Sequence, residues 1–378
     1  MKNTKLFFAT NRNHEGNDQW KPTRYGKEFS ADGRENLRFG ELEIDYDPPK
    51  VQQYLDKEFE NGRIGDGEKL SEYFAKQAEN TTISAFEDLT SQVEKQLEVE
   101  KNSSTRLFKS LKDVMMNAAD VVIYIHGYSV SWEDAVGGAL ALEFMLNSHR
   151  SDSEKNIAVV LFSWPSNGSK MPFAAYHSDR EDARDSAKAL GRAFLKLKDY
   201  LAALQTEALK GNEVLCNQEI HLLCHSMGNY LLKNALKNKI IRYSGGHALP
   251  KMFKNIFLCA PDVKDDVLES GNEMSQLHEM ASKITVYFND GDLAMEISKY
   301  SKHSNERLGH TGSAHPSLVH NKVHQVDCSP LIHGIAEHSY YLWATVNKDI
   351  WQSIAGLRFD SEDRHRRRDA QSREWVMT

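Results

Sequence analysis

Little cysteine, little proline and no long apolar run set the first limits on what this chain can be. Its 378 residues include four cysteines, Cys216, Cys224, Cys259 and Cys328. They form neither a zinc-type spacing nor a disulfide framework, and at least two fall in apolar runs where Cys acts as a small hydrophobe. That usage fits a reducing cytoplasm. No stretch approaches the roughly 18 to 20 apolar residues that cross a bilayer, so a soluble protein is expected. The lysines before LFFA do not make a secretory signal, because its apolar core is too short; LFFAT reads as a strand. Neither sign of charge dominates: 47 Lys and Arg against 54 Asp and Glu give a net charge of −7. Such a balance supplies no general attraction to nucleic acid or to an anionic membrane. Internal repeats and low-complexity segments are absent.

What is present is a globular composition, 40% hydrophobic, long enough for one large domain with additions. Residues 1–46 carry two strand candidates, LFFAT and LRFGELEIDY. From Pro48 to Met116 the pattern turns charged and helical. Phe86, Leu89, Val93 and Leu97 predict one amphipathic helix, and Leu107, Phe108, Leu111, Val114 and Met115 predict another. After Ala119, six short apolar runs (VVIYI, IAVVLF, IHLLC, NIFLCA, KITVYF and KVHQV) alternate with helical patterns near 132–147, 180–204, 227–239 and 339–354. Alternation of this kind means a mostly parallel sheet covered by helices on both faces, with ligands at the carboxyl ends of the strands. The expected division is an N-terminal strand and helical extension over 1–118, an α/β core over 119–357, and a charged, solvated tail over 358–378.

One strand end carries the chemistry. In CHSMGN, Ser226 lies between the IHLLC strand and a helix, with small residues Cys224 and Gly228 two positions to either side. A nucleophile elbow needs small residues there because helix and strand backbones nearly touch; Cys224 stands where Gly is usual. A serine hydroxyl needs a histidine to take its proton and a carboxylate to hold that histidine. After KITVYF come Asp290 and Asp292, and after KVHQV come His333 and His338, in the chain order Ser, acid, His of α/β-hydrolases. Asp292 and His338 are the first choice, Asp290 and His333 the substitutes, and Asp262 in CAPDV a further acid. An oxyanion needs N–H donors. Met227 supplies one, and Gly127 in HGYS allows the N–H of Tyr128 to supply the other.

On these stretches the chain resembles the α/β-hydrolase superfamily, and within it the esterase- and lipase-like DUF900 branch. The matching residues are VVIYIHGYSVSWEDA, FSWPSNG, HSMGNYLL, APDV, the DLAM segment, RLG and HSYY, with LFFATNR also fitting. The resemblance implies the α/β-hydrolase fold, with Ser226 as nucleophile, Asp292 as acid, His338 as base, and Tyr128 with Met227 as oxyanion donors. It implies no particular substrate, and it does not cover residues 48–101 or the basic tail.

The resulting expectation is a serine hydrolase that cleaves a carboxylic ester or related acyl bond through an acyl-enzyme. It uses no cofactor and no metal, and its partner is a small-molecule acyl substrate. Tyr128, Trp132 and Trp164 are pocket candidates, with Met171, Phe173 and Tyr176 beyond them. The alternative is an interaction protein that keeps the fold without turnover. Seven of the sixteen histidines lie between His303 and His338. Only His320 and His324 have a helix-compatible spacing, on a strand-like run, and no H-E-x-x-H motif occurs, so metal-dependent hydrolysis is the weaker reading.

Overall fold

The computed structural model describes residues 1–60, 63–86, 103–116, 119–151, 154, 156–168, 172–212, 218–300, 306–332, 338–369 and 374–378. The N-terminal part runs β1 (Lys2–Thr10), β2 (Arg12–Glu15), β3 (Arg24–Phe29), β4 (Arg38–Tyr46), α1 (Pro48–Leu55), α2 (Gly67–Ala78), β5 (Thr82–Phe86) and α3 (Ser103–Met116). Of the helix predicted from Phe86, Leu89, Val93 and Leu97, Phe86 instead ends strand β5, and the other three lie outside the described residues. Strands and helices then alternate: β6 (Ala119–Ile125), α4 (Trp132–Ser148), β7 (Asn156–Ser163), α5 (Pro172–Leu209), β8 (Ile220–His225) and α6 (Met227–Ala235). A π-helical segment (Leu236–Ile240) leads into α7 (Ile241–Ser244), followed by β9 (Phe253–Cys259), β10 (Ala281–Phe288), α8 (Leu293–Tyr300), α9 (Leu308–Thr311), β11 (Val323–Asp327), α10 (Ala344–Ile354), β12 (Arg366–Arg368) and β13 (Trp375–Met377).

The main sheet has 11 strands in the order β12-β13-β11-β10-β9-β8-β6-β7-β1-β4-β5. From β11 across to β1 every neighbouring pair is parallel, and antiparallel strands appear only toward the two edges. The six apolar runs of the sequence are its central strands, and burial on both faces explains why they read as continuous rather than alternating. One face carries α3, α5 and α6 over a core that includes Leu107, Phe194 and Leu231. The other carries α2, α4 and α10 over a core that includes Phe74, Leu140 and Ile350. The sheet therefore has the two helical layers expected of the α/β-hydrolase fold. β1 is inserted beside β7 by the parallel register Thr10↔Ser163, so the N-terminal strand belongs to the same sheet as the central parallel strands. No described helix is long and apolar enough to cross a membrane.

The tail differs from the expected solvated segment. β13 pairs with β11 in parallel and with β12 in antiparallel fashion, extending the sheet. Two arginines of the basic run are buried on one acid: Arg364 Nε donates to Asp349 Oδ1 at 3.0 Å, and Arg366 Nη1 to Oδ2 at 3.2 Å. Arg366 also lies over the Phe359 ring, 3.7 Å from its centroid. Charge density misled here because the neutralising carboxylate comes from α10, and WVM supplies the apolar strand.

Candidate active site

β8 is buried along nearly its whole length and ends at His225; Ser226 follows with φ 53° and ψ −122°, and α6 begins at Met227. A side-chain-bearing residue in that region costs on the order of 1–3 kcal/mol and persists only when its surroundings impose it. The backbone bonds around Ser226 do so. Its N–H donates to Cys259 O at 2.9 Å, while its carbonyl accepts from Asn229 N at 3.0 Å and Asp262 N at 3.2 Å. Gly228 is required for the same reason: a Cβ there would stand 2.7 Å from His126 O and 2.8 Å from Ile125 O, both backbone atoms. Cys224 is fully buried in the core, so the elbow forms with Cys at the position where Gly is usual.

The acid and histidine sit at the next strand ends. Asp292 stands before α8, where its Oδ1 accepts from Ala294 N at 3.0 Å and Met295 N at 3.3 Å, as an N-cap does. Its Oδ2 faces His338 Nδ1 at 2.7 Å. The cap fixes the carboxylate, and the carboxylate fixes the imidazole with its proton on Nδ1. His338 Nε2 is buried and has no hydrogen-bond partner among the described residues. Burial pulls the His338 pKa down, but the Asp292 charge and hydrogen bond, with help from Asp262, leave it above the ordinary 6.5.

His225 ties this histidine to the elbow. Its ring centroid is 4.7 Å from that of His338, and its Nε2 donates to the His338 carbonyl at 3.1 Å. Burial and the neighbouring His338 hold its pKa well below 6.5, so it is neutral. Ser226, His338 and Asp292 are thus brought to one end of the sheet. Nothing in the sequence marked out His225 for this link; it occupied only the variable position before the serine.

Asp290 is exposed and lies outside the Asp292–His338 pair, its N–H donating to Ser329 Oγ at 3.0 Å. Asp262 is buried in a different network: Tyr176 Oη donates to it at 2.6 Å, Ser298 Oγ also donates to it, and Arg307 Nε lies 3.5 Å away. His333 lies outside the described residues. The pocket candidates divide. Tyr128 is half-buried, its ring 5.6 Å from that of Tyr176. Trp132 and Trp164 are core residues rather than pocket wall, 1% and 0% exposed. Trp132 packs against Phe8 and Tyr25, and Trp164 stacks on His126 with its Nε1 donating to His126 O at 3.0 Å. Following strand ends suggested a rim, but Trp132 opens α4 beneath Phe8 and Tyr25 of the N-terminal strands, and Trp164 is packed inward on His126. The other histidines disperse: His315 pairs with Glu269, His320 stacks on His278 and His324 on Phe359. Among the described residues no three His, Cys, Asp or Glu side chains are grouped to hold a metal ion.

Residues 99–346 match a family described as alpha/beta hydrolases of unknown function, DUF900. An uncharacterised protein of Nostoc sp., alr1448, is 26% identical over 248 residues, a match covering 54% of this chain and 60% of the length of that relative. Among solved structures, lipase B of Aspergillus fumigatus is similar at 13% identity and a TM-score of 0.35, over 64% of this chain and 53% of the lipase. A hyperthermophilic esterase of Pyrobaculum calidifontis is similar at 16% identity and a TM-score of 0.30, over 63% of this chain and 77% of the esterase. Those scores are too low to carry weight, and the fold rests on the strand order and the family match.

Proposed function

This chain belongs to the DUF900 family of alpha/beta hydrolases, and from that premise we propose that it is a serine hydrolase that cleaves a carboxylic ester or related acyl bond. The observation that carries the reading is the Asp292–His338 contact at 2.7 Å, with the far nitrogen of the imidazole unpartnered among the described residues. It stands at the end of the sheet where Ser226 is held in a strained turn.

In this reading His338 Nε2 takes the proton from Ser226 Oγ as the oxygen attacks the substrate carbonyl. Asp292 stabilises the imidazolium without itself accepting the proton. The N–H groups of Tyr128 and Met227 receive the developing oxyanion. Met227 is the first residue of α6, where no intrahelical acceptor exists for its N–H, and among the described residues the Tyr128 N–H has no partner. His338 then protonates the departing alkoxide, leaving an acyl group on Ser226, and activates water to remove it. No step draws on a metal or cofactor.

The test is turnover of a p-nitrophenyl ester panel from acetyl to palmitoyl by purified protein. The reading predicts hydrolysis of at least one ester, with a p-nitrophenol burst whenever deacylation is the slower step. Absence of turnover across the panel, on protein that melts cooperatively, would favour an interaction protein that keeps this fold without catalysis.

A further inference from the structure

Arg12 is a full guanidinium sealed inside the protein, 1% exposed, and it lies in the LFFATNR stretch, well outside residues 99–346 that match the family. A buried arginine is expensive unless each of its N–H groups has work to do. Here the fork reaches in several directions. Nε donates to Ser163 Oγ at 2.8 Å, Nη1 to Gly26 O at 3.0 Å and Ser166 O at 3.3 Å, and Nη2 to Val130 O at 2.9 Å. It therefore joins the N-terminal hairpin, the loop after β7 and the loop after β6. Burial pulls its pKa down to about 9, against the opposing pull of Asp179, so it keeps its charge at neutral pH.

Asp179 completes the frame. This buried acid on α5 accepts from Ser129 N at 2.7 Å, Ser166 Oγ at 2.6 Å and Asn167 N at 2.9 Å. Ser166 Oγ in turn accepts from Val130 N at 3.0 Å. A third tether is His126, whose Nδ1 donates to Gly127 O at 2.8 Å while Nε2 accepts from Trp164 N at 3.2 Å. Around Tyr128, then, the Gly127 carbonyl, the Ser129 N–H and both polar groups of Val130 are all fixed, while among the described residues the Tyr128 N–H has no partner. The loop so fixed runs against the nucleophile: a Cβ added to Gly127 would lie 2.9 Å from Ser226 Cβ and 3.4 Å from its Oγ.

We propose that Arg12 is a positioning residue for catalysis. Its guanidinium, on the Val130 carbonyl, and the Asp179 carboxylate, on the Ser129 N–H, clamp the His126–Ser131 loop and hold the Tyr128 N–H where an oxyanion forms beside Ser226. The proposal rests on the serine hydrolase reading for its kinetic consequence but not for its structural one. A lysine cannot replace this arginine, because one ammonium on a flexible stem cannot span carbonyls of three separate segments. The N-terminal hairpin becomes part of the active-site scaffold, which gives the strand inserted beside β7 a catalytic reason.

Two readouts on Arg12→Ala, Arg12→Lys and Asp179→Asn decide it. The first is hydrogen exchange of peptides covering residues 126–131, with peptides from β8 as the control. Exchange in the loop should quicken about 10-fold or more in each variant while β8 stays protected. The second is p-nitrophenyl acetate hydrolysis. Losing one oxyanion donor outright costs about 10²–10³ in kcat, and a misaimed donor should cost about 10–10², with KM changed by less than about 3-fold. Free guanidinium ion should restore part of the kcat of Arg12→Ala and none of that of Asp179→Asn. Unchanged loop exchange in all three variants would overturn the clamp. So would a quickened loop with kcat near that of the wild type. If the wild type hydrolyses no ester, the hydrolase reading falls while the exchange result still decides the clamp. If Arg12→Ala does not fold, Arg12→Lys and Asp179→Asn carry both measurements.

Discussion

Replacing Asp292 with asparagine removes one negative charge while keeping the shape of the cap. The asparagine Oδ1 can still accept from Ala294 N and Met295 N, as Asp292 Oδ1 does at 3.0 and 3.3 Å. Its amide nitrogen then takes the place of Oδ2, 2.7 Å from His338 Nδ1. An amide N–H there can only donate, so Nδ1 must become the acceptor and the imidazole proton moves to Nε2. The nitrogen meant to take the Ser226 proton is then already protonated. In Ser-His-Asp triads this tautomer inversion costs about 10⁴ in kcat, or about 5 kcal/mol of transition-state stabilisation. The pH profile should move as well. In the wild type, kcat/KM should rise as His338 loses its proton, with a pKa above 6.5 because Asp292 and Asp262 together outweigh burial. In the variant burial is largely unopposed, so the limb should shift below that of the wild type, leaving a slow enzyme that reaches its plateau at lower pH. Steady-state hydrolysis of p-nitrophenyl acetate from pH 5 to 9, with thermal melting to confirm the fold, measures both. Turnover within about 10-fold of the wild type would refute the reasoning. So would a large loss of turnover in a folded Asp262→Asn that Asp292→Asn does not share.

Two further substitutions test the scaffold. Gly228→Ala puts a methyl group 2.7 Å from a backbone oxygen of the neighbouring strand end. It should cost about 1–3 kcal/mol of stability and, by displacing Ser226, about 10² in kcat/KM; a variant with wild-type turnover would show that the elbow is looser than its contacts imply. Asp349→Ala strips the shared acid from Arg364 and Arg366, both buried. Urea unfolding should report a loss of about 3–5 kcal/mol, with trypsin cleaving within the Arg364–Arg368 run; a change under about 1 kcal/mol would mean that the tail packs without its ion pairs.

The parts of the fold that could be read from sequence were those governed by local pattern. The parallel strands announced themselves as apolar runs, and the strand-to-helix turn at Ser226 followed from IHLLC ending before a helical pattern. The pairing of Asp292 with His338 was legible because both follow strand ends of one parallel sheet, where loops converge. What escaped depended on partners distant in sequence. The burial of Arg364 and Arg366 needs Asp349, the burial of Trp132 needs Phe8 and Tyr25, and the burial of Arg12 needs Ser163, Ser166 and Val130. A charged residue looks solvated until the group that neutralises it is known. His225 carried no signal at all, since its contact with His338 exists only once β8 and the segment before α10 meet.

The central claim is that Ser226 is the nucleophile. A fluorophosphonate, which phosphonylates activated serines, tests it directly when the modified peptide is identified by mass spectrometry. The account predicts one adduct per chain, located on Ser226, lost in Ser226→Ala and formed far more slowly in His338→Ala. An adduct on another residue, or none on well-folded wild-type protein, would contradict it.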